Sequence, residues 1–186
     1  MIILGVDPGT LTTGYGVIET NPSRSTEISV IEYGTVESKR IATLPKRLEA
    51  IFNRLNAVIE RTNPDEFAIE SAFYDKNIQS MLKLGHARGV AILCAVLRQL
   101  PTAEYSPREI KRAVVGNGNA AKPQVEYMVR QMLKLPEKDI RLPDAYDALA
   151  VAITHSLRKG KSTSSGSVKN WEEFVKQNPG RVQKKG

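Results

Sequence analysis

Four carboxylates in this 186-residue chain sit where acids do chemistry. Asp7 closes the apolar run IILGVD and opens onto a Gly- and Thr-rich turn, PGTLTTGYG. Glu70 closes a second short run, FAIE, and Asp144 and Asp147 stand three apart in PDAYDALAVAITHSL. On a helix that spacing puts the two Cβ atoms about 5–6 Å apart on one face. If the two runs are neighbouring strands and the helix packs over their ends, all four acids converge. Two like charges 4 Å apart near a protein surface repel by about 4 kcal/mol at an effective dielectric of about 20, so such a cluster needs protons or cations. Hard oxygen donors suit Mg²⁺, with Mn²⁺ as a substitute. Two such ions about 3.5–4 Å apart activate a water and stabilise the leaving oxygen of a phosphodiester. The turn after Asp7 fits a second reading, a cradle for nucleotide phosphates. Asp-x-x-Asp at a helix start also occurs as plain dipole-favoured capping.

The elements that would position these acids are legible from periodicity. IILGVD reads as a buried strand, and GYGVIE and ISVIEYGTVES as two more joined at NPSRS, which together make an antiparallel meander. Leu44, Leu48, Ile51, Leu55, Val58 and Ile59 recur at helical spacing, and Asn63-Pro64 ends that helix. FAIE follows as a strand, then a long helix over about Asn77 to Leu100, then the strand TAEYS. Ser106-Pro107 is an N-cap followed by proline at the first helical position. The turn GNGN leads to a helix around Pro123 to Leu135, and the last helix begins near Pro143. This order predicts an α/β protein, a mixed sheet flanked by helices. Residues 1–158 form one domain in this reading, and 159–186 a basic, flexible tail that includes the linker KSTSSGS.

Composition narrows the classes. The single cysteine, Cys94, lies in GVAILCAVL as a buried, inert thiol, and with only two histidines no zinc site is expected. His86 is expected to be structural and His155 to sit at a helix end. No uninterrupted apolar run reaches the roughly 18 residues of a membrane span, and Asp7 cuts the first apolar run too short for a signal peptide. A cytoplasmic protein without a membrane partner is expected. The net charge of +7 fits a polyanion partner, yet the segment from Arg158 carries eight basic residues against Glu172 and Glu173, which accounts for six of those charges. Gly116 to Asn119 is too short for a phosphate-binding glycine fingerprint.

Several segments, in order, resemble the RuvC family of Holliday junction resolvases: GVDPGTLTTGYGVIE, IESAFYDKNIQSMLKLGHARGVAIL, YSPREIKRAVVGNGNAAKPQV and PDAYDALAVAITH. The match runs to about Leu157 and leaves the tail outside. It implies an RNase H-like fold, a homodimer, divalent metal, symmetric cutting of four-way DNA junctions in recombination and repair, and the branch-migration proteins RuvA and RuvB as partners. The family's four acids fall on Asp7, Glu70, Asp144 and Asp147. Phe73 corresponds to an aromatic that stacks on an unpaired base, chemistry suited to an exposed ring. Lys111 and Lys122 match lysines near the scissile phosphate, and the helix with Gly85 and Gly89 resembles the family's dimer helix. In this reading the glycines after Asp7 let the DNA backbone come close. The opening turn also resembles the phosphate loop of the actin, Hsp70 and sugar-kinase superfamily, but those proteins clamp a nucleotide between two such domains and this chain has length for one. A nuclease of another branch of the same fold and a non-catalytic junction binder are the remaining rivals. All four acids are present, which argues against the binder.

Overall fold

The computed structural model describes residues 1–21, 24–71, 78–136 and 142–162. Its elements follow the expected order: β1 (Ile2–Asp7), β2 (Thr12–Asn21), β3 (Arg24–Glu37), α1 (Leu44–Thr62), β4 (Glu66–Glu70), α2 (Ile78–Leu97), β5 (Thr102–Tyr105), α3 (Pro107–Val115), α4 (Lys122–Leu133) and α5 (Pro143–Ser162). The strands form one sheet in the order β3-β2-β1-β4-β5. β1–β2 and β2–β3 pair antiparallel, while β4 lies parallel to β1 and to β5. The meander thus turns into two crossover units, and β1 occupies the centre of a mixed sheet.

Each face of the sheet packs its own core. Leu4, Val6, Tyr15, Val17, Phe67 and Ile69 meet Ile51, Leu55 and Val58 of α1 and Ala87, Ala91 and Cys94 of α2. Ile3, Ile18 and Ala68 meet α3, α4 and α5 on the other face. Strand alternation therefore decides where the acids point: Asp7 shares a face with Ile3 and Gly5, and Glu70 with Ala68, and that is the face covered by α5. Helix ends follow local rules. Asn63 closes α1 in the left-handed region at φ 44°, and Ser106 and Glu109 form a reciprocal capping box on α3. The Cys94 thiol is buried, and its pKa is pushed up to about 11 by that burial.

One expectation needs revision. α2 is 20 residues long, with a mean hydropathy of 1.4 over its most apolar window, which by length and composition is enough to cross a membrane. The uninterrupted-run criterion misses it because Lys83 and Arg88 break the run. α2 packs against α1 and the sheet through Ala87, Ala91, Cys94 and Ala95, while Ile78, Leu82, Leu93, Val96 and Leu97 face outward. At its other end the chain stays helical past residue 158: α5 continues to Ser162.

Candidate metal centre

Asp7 ends β1 directly opposite Gly14 of β2. A Cβ on Gly14 would stand 1.9 Å from the carbonyl oxygen of Asp144, and one on Gly5 2.3 Å from that of Ala148. Gly16 is likewise filled by Leu149, at 2.7 Å. These glycines form a trough in which the first turns of α5 lie against the backbone of β1 and β2. The expectation that they admit DNA backbone is corrected: the space beside Gly14 and Gly16 belongs to α5. Gly9 serves the turn itself, since a Cβ there would meet the Thr12 carbonyl oxygen at 2.2 Å, and the Thr13 hydroxyl donates to the Gly9 carbonyl at 2.6 Å.

Seated this way, Asp144 and Asp147 join Asp7, and one carboxylate oxygen from each lies within 4.8 Å of the others. Glu70, at the end of the neighbouring strand, hydrogen-bonds Asp7. Burial, then repulsion from Glu70 and Asp147, holds the Asp7 carboxyl well above the usual range. Glu70 is raised as well, chiefly by burial and then by Asp147, while its bond to Asp7 and the charges of Lys122 and Lys111 pull it back. Lys122 places Nζ 2.6 Å from Asp147 Oδ2. Burial pulls the Lys122 pKa down, but the bond to Asp147 and the field of Asp147, Asp144 and Asp7 outweigh it and the net shift is upward. Among the described residues, four carboxylates with one directly paired ammonium leave excess negative charge in a partly buried pocket, and an all-oxygen donor set of this kind fits a hard divalent cation.

Glu70, Asp147, Lys111 and Lys122 border one cleft of about 220 Å³, closed on its far side by Pro107, Ile110 and Val125. The four expected acids and both expected lysines are thus brought to one place. Phe73 lies outside the described residues, as does the tail beyond Ser162. His86 is exposed on α2. His155 is not a helix-end residue but part of a buried network. Its Nδ1 lies at hydrogen-bond distance, 2.7 Å, from the Tyr105 hydroxyl, its Nε2 meets Glu66, and Glu66 also pairs with Lys159. No pattern in the sequence singles out that network, because its members come from β4, β5 and α5. The trough of Gly5, Gly14 and Gly16 does leave a signal, alternate glycines on adjacent strands.

A mixed five-stranded sheet flanked by helices is the RNase H-like class of fold, and its acidic cluster suits a divalent cation. A family model described as crossover junction endodeoxyribonuclease RuvC matches residues 3–155. A protein of that name from Cytophaga hutchinsonii is 44% identical over 181 residues, 97% of this chain and 88% of its own length. Another, from Syntrophotalea carbinolica, is 51% identical over 156 residues, covering 84% of this chain and 94% of its own. Among solved structures, Thermus thermophilus RuvC in complex with a Holliday junction substrate superposes with a TM-score of 0.81 at 30% identity, over 88% of this chain and 97% of that one. The yeast mitochondrial resolvase Ydc2, at 14% identity and a TM-score of 0.59, shares the fold. The chain belongs to the RuvC family of crossover junction endodeoxyribonucleases. The similarity to the Cytophaga protein extends into the segment after Leu157, beyond the expected limit of the resemblance.

Proposed function

We propose that the chain resolves four-way DNA junctions as a homodimer, by symmetric metal-dependent hydrolysis, with Asp7, Glu70, Asp144 and Asp147 holding the cations. Junction resolution by a nuclease is the family's activity. The observation that carries the residue assignment is the convergence of three aspartate oxygens within 4.8 Å beside Glu70. Mg²⁺ suits this set, Mn²⁺ substitutes for it, and two ions serve each site. A divalent cation bound there supplies Lewis-acid activation of water and offsets charge on the phosphodiester. The protein's own groups do the rest. Asp7 and Glu70, on adjacent strand ends, fix one side of the cation cage, and the aspartate pair on α5 fixes the other. Lys111 and Lys122 hold the scissile phosphate and offset charge that develops on it. Lys122 exchanges its Asp147 partner for that phosphate when DNA enters. Phe73 stacks on an unpaired base at the junction centre, a role that rests on the family resemblance alone.

The dimer is supported by α2. Ile78, Leu82, Leu93, Val96 and Leu97 lie exposed along it, and Gly85 and Gly89 have open space where a Cβ would stand. A second copy of the same helix fits such a self-complementary apolar strip. Two copies are required for paired cuts, because one active site addresses one strand. RuvA and RuvB are the expected partners, 1–158 the catalytic domain with 159–186 its basic tail, and the cytoplasm the place of work.

The test is cleavage of a synthetic four-way junction with each strand labelled in turn, with Mg²⁺, with EDTA, and with Asp7→Asn. Paired symmetric nicks that require metal and vanish in Asp7→Asn while junction binding persists support the reading. Absence of both binding and cutting by the wild type overturns it.

A further inference from the structure

A second groove opens from the acidic cluster, on the other side of the sheet edge from the Lys111–Lys122 cleft. It has a volume of about 470 Å³, and its walls come from the β1–β2 turn, from Arg47 of α1 and from Ser80 and Lys83 of α2, with Asp144 at its inner end. α1 and α2 cover the opposite face of the sheet from α3 and α4, so the two grooves lie on either side of the end of β1, where Asp7 lies.

The cations of this groove differ from the arginines that are tied to partners elsewhere on the surface. Arg54 is bonded to the Tyr15 hydroxyl, and Arg61, Arg88, Arg98 and Arg158 are each paired with a glutamate. Among the described residues neither Arg47 nor Lys83 forms an ion pair. Arg47 is instead braced: its Nε donates to the Ile41 carbonyl at 2.7 Å, which fixes the guanidinium plane. That single bond uses one of five donors. Lys83 is exposed. Hydroxyls of Thr10, Thr12 and Ser80 complete a wall of donors.

We infer that this groove binds the DNA backbone on the side of the scissile phosphate away from Lys111 and Lys122, with Arg47 and Lys83 each contacting a phosphate. The inference rests on the nuclease reading above and deepens it. A strand led along one groove, over the cluster and into the other has its scissile bond held from both sides. Two cations without acidic partners among the described residues are also the complement that a phosphate chain needs as it passes a cluster of four acids, since contacts to phosphates fix register without reading sequence. Arg47 gives the fixed, forked contact and Lys83 the adaptable one.

The measurement is junction affinity in EDTA over a range of salt concentrations, for the wild type, Lys83→Ala, Arg47→Ala and, as a control off the groove, Arg98→Ala. Removing one cation that neutralises a phosphate makes the slope of log K against log salt shallower by about 0.9. The expected result is a slope shallower by about 0.9 in each groove variant, with weaker binding that does not depend on the sequence of the arms, and an unchanged slope in Arg98→Ala. Lys83 is exposed and forms no ion pair among the described residues, so its removal tests the groove without disturbing the fold. Wild-type slopes in both groove variants, from a protein that binds and cuts junctions, overturn the groove assignment alone. A wild type that fails to bind junctions at all overturns the nuclease reading and this inference together.

Discussion

The two ends of α5 are electrostatic opposites. At its start Asp144 and Asp147 face Asp7 and Glu70, and among the described residues one ammonium, Lys122, pairs directly with this group of four carboxylates. Toward its other end His155, Arg158 and Lys159 meet Glu66 and Glu109, so that acids and bases are matched. Arg158 also lies 5.3 Å over the Tyr105 ring. Both ends suit the helix dipole, which favours acids at the start and bases at the finish. Only the first end is left with charge of one sign. The balanced end anchors the helix across β4 and β5, and the unbalanced end is held in place by that anchorage and by the glycine trough. A site that must bind cations is assembled at a cost in stability, and the rest of the helix offsets it.

The sharpest way to break this contrast is Asp7→Asn. Removing a charge held against repulsion should raise the melting temperature of the metal-free protein by about 2–4 °C per kcal/mol relieved, while cleavage falls by more than about 100-fold, beyond the range seen for residues that only support metal ligands. Calorimetry with and without Mg²⁺, beside a junction assay, reads both. A drop in metal-free stability would contradict the strained cluster. Next is Gly14→Ala, which must push the start of α5 away from Asp7. We expect cleavage to fall about 10- to 100-fold with an overpacking cost of about 1–3 kcal/mol. Gly16→Ala, where the nearest atoms are Leu149 side-chain carbons at 2.7 Å rather than a carbonyl oxygen of the metal-site residue Asp144, should harm cleavage less. Equal losses in both would show that Gly14 has no particular hold on Asp144.

The balanced end predicts stability effects without catalytic ones. Glu66→Ala leaves the buried His155 Nε2–H without its acceptor and should cost about 2 kcal/mol in urea unfolding, with turnover per folded molecule unchanged. The smallest effect is a pH slope. Burial lowers the His155 pKa from its ordinary value of 6.5, and a neutral ring that accepts from Tyr105 and donates to Glu66 satisfies both nitrogens. The unfolded chain then binds the proton first as the pH falls. The contribution of the neutral ring is therefore complete above pH 6.5 and is lost as the pH drops from there toward the lowered value. His155→Gln should flatten that part of the stability profile. A slope identical to the wild type would place the proton elsewhere.

Much of this architecture is legible without coordinates. Apolar alternation in β1 to β3, the 3.6-residue period of α1 and the caps at Asn63 and Ser106 are local properties, and local properties survive in the one-dimensional string. The acids are legible for the same reason, since a carboxylate that ends an apolar strand and a pair three apart on a helix are marked by their neighbours in the chain. The glycines stand out too, but their use does not: a glycine's freedom is visible in sequence, while the atom that fills the space beside it is not. His155 escapes local reading because its partners lie 50 and 89 residues away. The longest unbroken apolar stretch is a poor guide to α2, because its burial depends on which side meets α1.

The elements, the four acids and, through several ordered motifs, the family are written in the order of the residues. Each depends on short-range spacing and residue type. Packing alone makes β1 and β4 parallel neighbours, settles α5 into the trough of Gly5, Gly14 and Gly16, and brings Arg47 and Lys83 into a groove with Asp144. Those arrangements depend on which surfaces bury each other, and burial is settled by the whole chain at once.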